Sequence, residues 1–277
     1  WCLLGKANVM VGDLAAAAAG VVRAIELQEA FPEAHIDLGN IRFNQGRYDE
    51  AEAAYRRGMQ LAPQHAVPYL NLSRLFVIRG RYMEAVKCCG AALRLSPSDP
   101  VAAIVQDLGL ALSYRGLLRE AKVLFDAYCK VRAGDADVWC VLARLNTQAA
   151  EAEEAARCGQ WIVKLRPTDA RSHFFAALLH LWRGDADAAA AACAAAVSRG
   201  LPAALLDHLS AALGMPEARC ESPGRPSGAA VSDALRVPIP HQPTPQHRER
   251  ARQFLLERWD AIAAAVITSV PPLPRAG

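Results

Sequence analysis

Small and apolar residues return along this chain at a fixed interval. Leu38 and Leu72, Gly46 and Gly80, Ala51 and Ala85, and Pro63 and Pro97 each lie 34 residues apart. A period of that length, with small residues held at fixed phases, predicts stacked helix–turn–helix units. Gly12, Gly46, Gly80, Gly116 and Gly184 fall at the turn between the two helices. A helix commonly ends there on a left-handed residue, a conformation glycine enters cheaply. Ala150 holds this phase in the fourth copy, so its turn is expected to be looser or differently shaped. Ala51, Ala85, Ala121, Ala155 and Ala189 sit on the second helix, where a small side chain lets the pair approach closely. Tyr55 and Phe125 are expected to plug the space between units. Pro63, Pro97 and Pro167 end the second helix, since proline has no N–H to continue it.

The full set of phases can be followed through six copies. Trp1, Leu4-Gly5, Ala17 and Ala24 mark the first; Leu38-Gly39, Ala51, Tyr55 and Pro63 the second; Tyr69, Leu72, Phe76, Ala85, Ala92 and Pro97 the third. After a slip of two residues near Ser98–Pro100 come Leu108-Gly109, Ala121 and Phe125, then Trp139, Leu142, Ala155 and Pro167, then the weaker Ala177, Ala189 and Ala196. This pattern resembles the tetratricopeptide repeat family over residues 1–201. The resemblance implies an all-α, right-handed α-solenoid in which each pair leans on its neighbour and none buries its apolar face alone. Residues 186–196 are nearly all alanine, with high helix propensity but little area to bury. That end is expected to be the least stable.

Composition narrows the picture further. Hydrophobic residues make up 53% of the chain, much of it alanine, and aromatics only 6%. This suits close-packed helices better than a β-sandwich or barrel. A net charge of +3 gives no case for nucleic acid. No stretch reaches the ~18 apolar residues a membrane span needs. The chain begins at Trp1, already inside a repeat, so a clipped N-terminus is expected, with cytoplasmic residence a default only. The eight cysteines show no CxxC spacing. Cys89 and Cys193 stand where the aromatic plug would be and read as buried filler, as does Cys88.

Beyond the repeats, residues 202–215 predict a capping helix carrying Leu205, Leu206, Leu209 and Leu213. Residues 216–245, rich in Pro, Ser and Gly, read as a flexible linker. Residues 246–269 predict an amphipathic helix with Phe254, Leu255, Trp259, Ile262 and Val266 on one face and Arg248, Arg250, Arg252 and Glu257 largely elsewhere. It is expected to dock back on the solenoid, with self-association or a partner as the other uses. Residues 270–277 form a Pro-rich tail.

In the resembled family the first helices line a concave face that captures a peptide or helix. Carried onto this sequence, the inward positions include Lys6, Asn40, Asn44, Asn71, Arg74, Tyr114, Arg144, Gln148 and Trp182, among apolar Ile36, Phe43, Leu70, Val77 and Ile78. Amides can pair with both edges of a peptide backbone, and arginines with carboxylates. Family members that clamp a C-terminal carboxylate need two asparagines plus cations. Asn40 and Asn71 match, but Ile36, Ala103 and Asp107 stand where cations belong, which argues against that ligand. Asp37 and Asn71 also sit where sugar-transferase relatives carry an amide ladder, too little to make one.

No constellation points to catalysis, a cofactor or a metal. No P-loop, dinucleotide fingerprint, nucleophile elbow or HExxH occurs. His35-Ile36-Asp37 spells the start of an iron-binding facial triad but lies within a helical repeat. His173 and His180 occupy the Trp and Tyr phases of the fifth copy and read as packing. Glu151, Glu153 and Glu154 read as a solvated charge run. The expectation is therefore a protein-interaction scaffold with a protein or peptide partner. The alternative is the non-catalytic arm of a larger glycosyltransferase- or methyltransferase-type enzyme.

Overall fold

The computed structural model describes residues 13–201 and 244–266, with side chains as far as Glu257. Lys6, Gly12, the 202–215 and 216–243 segments, the Pro-rich tail and the side chains of Trp259, Ile262 and Val266 lie outside the described residues. Among those described there are twelve helices and no strand.

The chain divides into two compact units, residues 1–132 and 133–277. The first holds α1 (Leu14–Leu27), α2 (Pro32–Asn44), α3 (Tyr48–Leu61), α4 (Ala66–Ile78), α5 (Tyr82–Leu95), α6 (Asp99–Tyr114) and α7 (Leu118–Val131). The second holds α8 (Ala136–Gln148), α9 (Ala152–Leu165), α10 (Ala170–Arg183), α11 (Ala186–Ser198) and α12 (Pro245–Val266). Helices α2–α3, α4–α5, α6–α7, α8–α9 and α10–α11 are packed pairs, and within each unit one pair rests on the next.

The turn inside each pair is closed by one hydrogen-bond set. At Gly46 (φ 74°) the amides of Gln45, Gly46 and Arg47 donate to the carbonyls of Ile41, Phe43 and Arg42. At Ala150 (φ 61°) the amides of Ala149, Ala150 and Glu151 donate to Leu145, Thr147 and Asn146 in the same way. The fourth turn is therefore neither looser nor differently shaped. Alanine has been forced into the left-handed region, because only that conformation returns the chain to pack α9 against α8. The second helices stop at Leu61, Leu95 and Leu165, each two residues before a proline.

Pair packing is a matter of matched volumes. A Cβ added at Gly39 would stand 2.5 Å from the Tyr55 ring, and one at Gly109 would stand 2.5 Å from the Phe125 ring. At the same two phases the second helix carries a smaller group where the first carries a larger one. Ser73 faces Cys89, whose thiol donates to the Ser73 hydroxyl at 3.2 Å. The fourth pair has Ala143 and Gly159, and there Leu179 of the following helix reaches within 2.9 Å of where a Gly159 Cβ would be. Tyr55 also joins Leu72, Leu75 and Phe76 in one apolar cluster, so the plug reaches into the next repeat.

A second recurring contact fixes each first helix to the loop before it. His35 Nε2 donates to the Glu29 carbonyl, the Tyr69 hydroxyl to Pro63, Trp139 Nε1 to Ala133 and His173 Nε2 to Pro167, all six residues upstream. Different rings do the same work at one phase. Both histidines thereby tie a first helix to the loop before it. Among the described cysteines, Cys89, Cys129, Cys140, Cys158 and Cys193 are buried, while Cys88, expected buried, is half-buried. Burial pushes the Cys88 thiol up to about 11 and the Cys193 thiol up to about 12, which favours the protonated form.

Candidate partner-binding site

The first unit gathers three of the expected inward residues into one cluster. Asn40 stands on α2, and Asn71 and Arg74 stand a turn apart on α4, the first helices of adjacent repeats. The Asn71 Nδ2 donates to Asn40 Oδ1 at 3.0 Å. Beneath them the Tyr55 hydroxyl donates to the same oxygen at 2.8 Å. Burial, only partly opposed by nearby Arg74, pushes the Tyr55 phenol up to about 12, which keeps it a donor. Two donors on one acceptor fix the Asn40 amide, and its N–H groups and the Asn71 oxygen become the polar groups offered outward. The Arg74 guanidinium lies over the Phe43 ring at 4.6 Å, which holds an exposed cation beside the amides.

One turn further along the first helices, the same phase carries Asn44, Ile78 and Tyr114. All three are exposed, Ile78 at 51% and Tyr114 at 37%. The first unit therefore presents fixed amides and an arginine next to uncovered apolar side chains.

The second unit treats the equivalent phases differently. Gln148 is half-buried and Trp182 is buried at 7% exposure. The neighbouring phase, half-buried as Phe43, Val77 and Ser113 in the first unit, is fully buried as Thr147 and Leu181. Helix α12 makes this difference, because it packs against α8 and α10, the first helices of both pairs in this unit. Ala251 and Leu255 are fully buried there. Arg252 Nε donates to the Thr147 carbonyl at 3.3 Å. Arg248 lies against Gly184, where an added Cβ would run into its guanidinium. Thus the two arginines, expected away from the packed face, reach the carboxyl ends of α8 and α10, while Arg250 is exposed. Phe254 is half-buried, and Ala251, which hydrophobicity alone does not single out, takes its place in the contact. The fifth pair, expected to bury little, gains a third layer, and every residue of α10 from Ser172 to Trp182 is buried.

His180 lies in that buried helix with Nδ1 lacking a hydrogen-bond partner. Burial first, then Arg183, pull its pKa below the ordinary imidazole value, so the ring is neutral.

Among the described residues no group of His, Cys, Asp and Glu side chains could hold a metal ion, and no helix is long and apolar enough to cross a membrane. Residues 32–65, which span α2, α3 and the turn joining them, match the tetratricopeptide repeat family. That match covers one repeat of the chain. A curated relative described as a TPR repeat-containing protein from Treponema pallidum (strain Nichols) is 29% identical over 148 residues, 44% of this chain. The chain spans only 18% of the length that relative has. Among solved structures it is similar to YrrB, described as a TPR protein with an unusual peptide-binding site, at 17% identity and a TM-score of 0.37, covering 70% of this chain and 99% of that one. It is also similar to PilF of Pseudomonas aeruginosa, at 20% identity and a TM-score of 0.41, covering 69% and 86%. A chain of the Naa15/Naa10 complex bound to HypK-THB is similar at 16% identity and a TM-score of 0.47, covering 75% and 33%.

Proposed function

We propose that the first unit captures an extended peptide segment across α2 and α4, with Asn40 and Asn71 pairing to its backbone and Arg74 to an acidic side chain. The observation that carries this reading is the Asn71–Asn40–Tyr55 hydrogen-bond chain. It spends the Asn40 oxygen within the protein and leaves donors and an acceptor held rigid for a ligand. Pre-organised groups cost little ordering on binding, which is where affinity is usually lost. Arg74, held on Phe43, adds selectivity for negative charge. Asn44 and Tyr114 extend the surface along the same phase. Lys6 would belong to the repeat before it, and Arg144, Gln148 and Trp182 to the equivalent phases of the second unit.

The test is selection of a displayed random-peptide library on the full chain, followed by affinities for variants. Each lost amide hydrogen bond costs about 0.5–1.5 kcal/mol, so Asn71→Ala, which removes one or two, should weaken selected peptides by roughly tenfold. Arg74→Glu should weaken acidic peptides further, while Lys130→Glu on α7 should leave them alone. Peptides that bind all three variants as they bind the parent chain would refute the assignment.

A further inference from the structure

In the first unit the inward Phe43 and Val77 stand half-buried, and Asn44, Ile78 at 51% and Tyr114 at 37% are exposed. No described element covers those phases in the first unit. In the second unit Thr147, Leu181 and Trp182 are buried and Gln148 is half-buried, and the described element packed over them is α12.

Its hold is narrow. Of the described side chains from Thr244 to Glu257, only Ala251 and Leu255 are buried, and Thr244, Pro245, Gln246, Arg248, Glu249, Arg250, Gln253, Leu256 and Glu257 are exposed. A hydrogen bond from Arg252 to the Thr147 carbonyl ties it to α8. Both recognition elements repeat every four residues, which places them on one face of a helix. Arg248 and Arg252 reach the carboxyl ends of α10 and α8, where the helix dipole favours a cation. Ala251 and Leu255 fill the apolar ground between. Gly184 shows how closely the arginine fits. The matching turn glycines Gly46, Gly80 and Gly116 have nothing within 4 Å of an added Cβ, whereas Gly184 has the Arg248 guanidinium.

We propose that the α8–α10 surface is an exchangeable binding site for an amphipathic helix bearing two arginines one turn apart beside an alanine and a leucine at the same spacing, and that α12 is its occupant in cis. A partner helix with this pattern displaces α12 rather than adding to it. The site is separate from the one on α2 and α4, so the two readings stand or fall apart. Tethering sets the effective concentration of α12 at about the millimolar level, and a free helix must overcome that advantage.

The experiment uses a fluorescent synthetic peptide of residues 244–266, titrated by anisotropy into the full chain and into the full chain carrying Leu255→Asp. The substitution puts a charge into a fully buried position of α12 and leaves α8 and α10 unchanged. The variant should bind the peptide at least tenfold more tightly than the parent, because its own helix no longer competes. A peptide carrying Arg248→Glu and Arg252→Glu should lose at least tenfold on that variant. Three outcomes would overturn the proposal: no gain in peptide binding by a folded variant, equal binding of the charge-reversed peptide, or a loss of helicity greater than that of α12 alone, which would make α12 a fixed prop. A concentration-dependent dimer of the parent chain that Leu255→Asp dissolves would likewise overturn the cis assignment in favour of a second copy. Asn71→Ala and Arg74→Glu should not alter binding of this peptide, so failure here leaves the first-unit reading untouched.

Discussion

Replacing Ala150 by glycine should stabilise the second unit. Ala150 holds φ at 61° in a turn whose three hydrogen bonds match those at Gly46. Holding an L-residue in the left-handed region costs roughly 1–2 kcal/mol. Glycine removes that cost and returns about 0.5–1 kcal/mol of it through the greater freedom of the unfolded chain. Ala150 is exposed, so little apolar burial is lost with its methyl. The net gain should be about 0.5–1 kcal/mol, or roughly 0.3–0.5 M in urea midpoint for a slope near 2 kcal/mol/M. Repeat arrays can unfold in steps, so the shift should be followed by tryptophan fluorescence. Trp139, Trp161, Trp182 and Trp259 all lie in the second unit and only Trp1 in the first. Gly116→Ala is the mirror experiment: φ is 75° and nothing lies within 4 Å of the new Cβ, so the loss isolates the backbone term. If Ala150→Gly leaves the midpoint unchanged or lowers it while Gly116→Ala costs stability, the turn at Ala150 is not strained in the way the dihedral angle implies.

Gly39→Ala should cost about 1–3 kcal/mol in urea unfolding, because its Cβ meets the Tyr55 ring and the plug must move. Tyr55→Phe should cost about 1 kcal/mol by removing a donor from Asn40, and it should also weaken peptides selected on the first unit. The depressed pKa of His180 gives a pH dependence with a definite sign. Its contribution is complete above the unfolded value near 6.5 and is lost as pH falls through the lower folded value, since the unfolded chain then takes up the proton first. The melting temperature of the parent chain should therefore drop more between pH 7.5 and pH 5 than that of His180→Phe. Equal drops would mean the ring is not buried neutral.

Helix pairs and their phases were legible because each rests on a local rule: glycine at a turn, alanine at a close approach, proline after a helix end. Ala150 was misread because the turn's conformation is imposed by how α9 must pack on α8, and one local residue does not reveal that. The plug phase was only half legible. Tyr55 and Phe125 stand out as large, but Cys89 and Gly159 make sense only beside Ser73 on α4 and Leu179 on α10, which lie far along the chain. The amides were read one at a time, and the hydrogen bonds that link them, Asn71 to Asn40 with Tyr55 beneath, join residues from two repeats. The docking of α12 was the least visible. A hydrophobic pattern draws attention to Phe254, while the contact is made by an alanine, a leucine and two arginines.

That difference bears on how one scaffold can serve two kinds of ligand. In the first unit the polar groups sit in the middle of the first helices, at Asn40, Asn71 and Arg74, and an extended backbone can run across them. In the second unit the polar recognition has moved to the carboxyl ends of α8 and α10, and the middle is apolar and occupied. Amides at mid-helix suit a strand, whose own donors and acceptors need partners. Carbonyl ends suit a helix, which satisfies its own backbone and can offer only side chains. On the two proposals above, the same repeat, read at two phases, would separate ligands by their secondary structure before any side chain is compared.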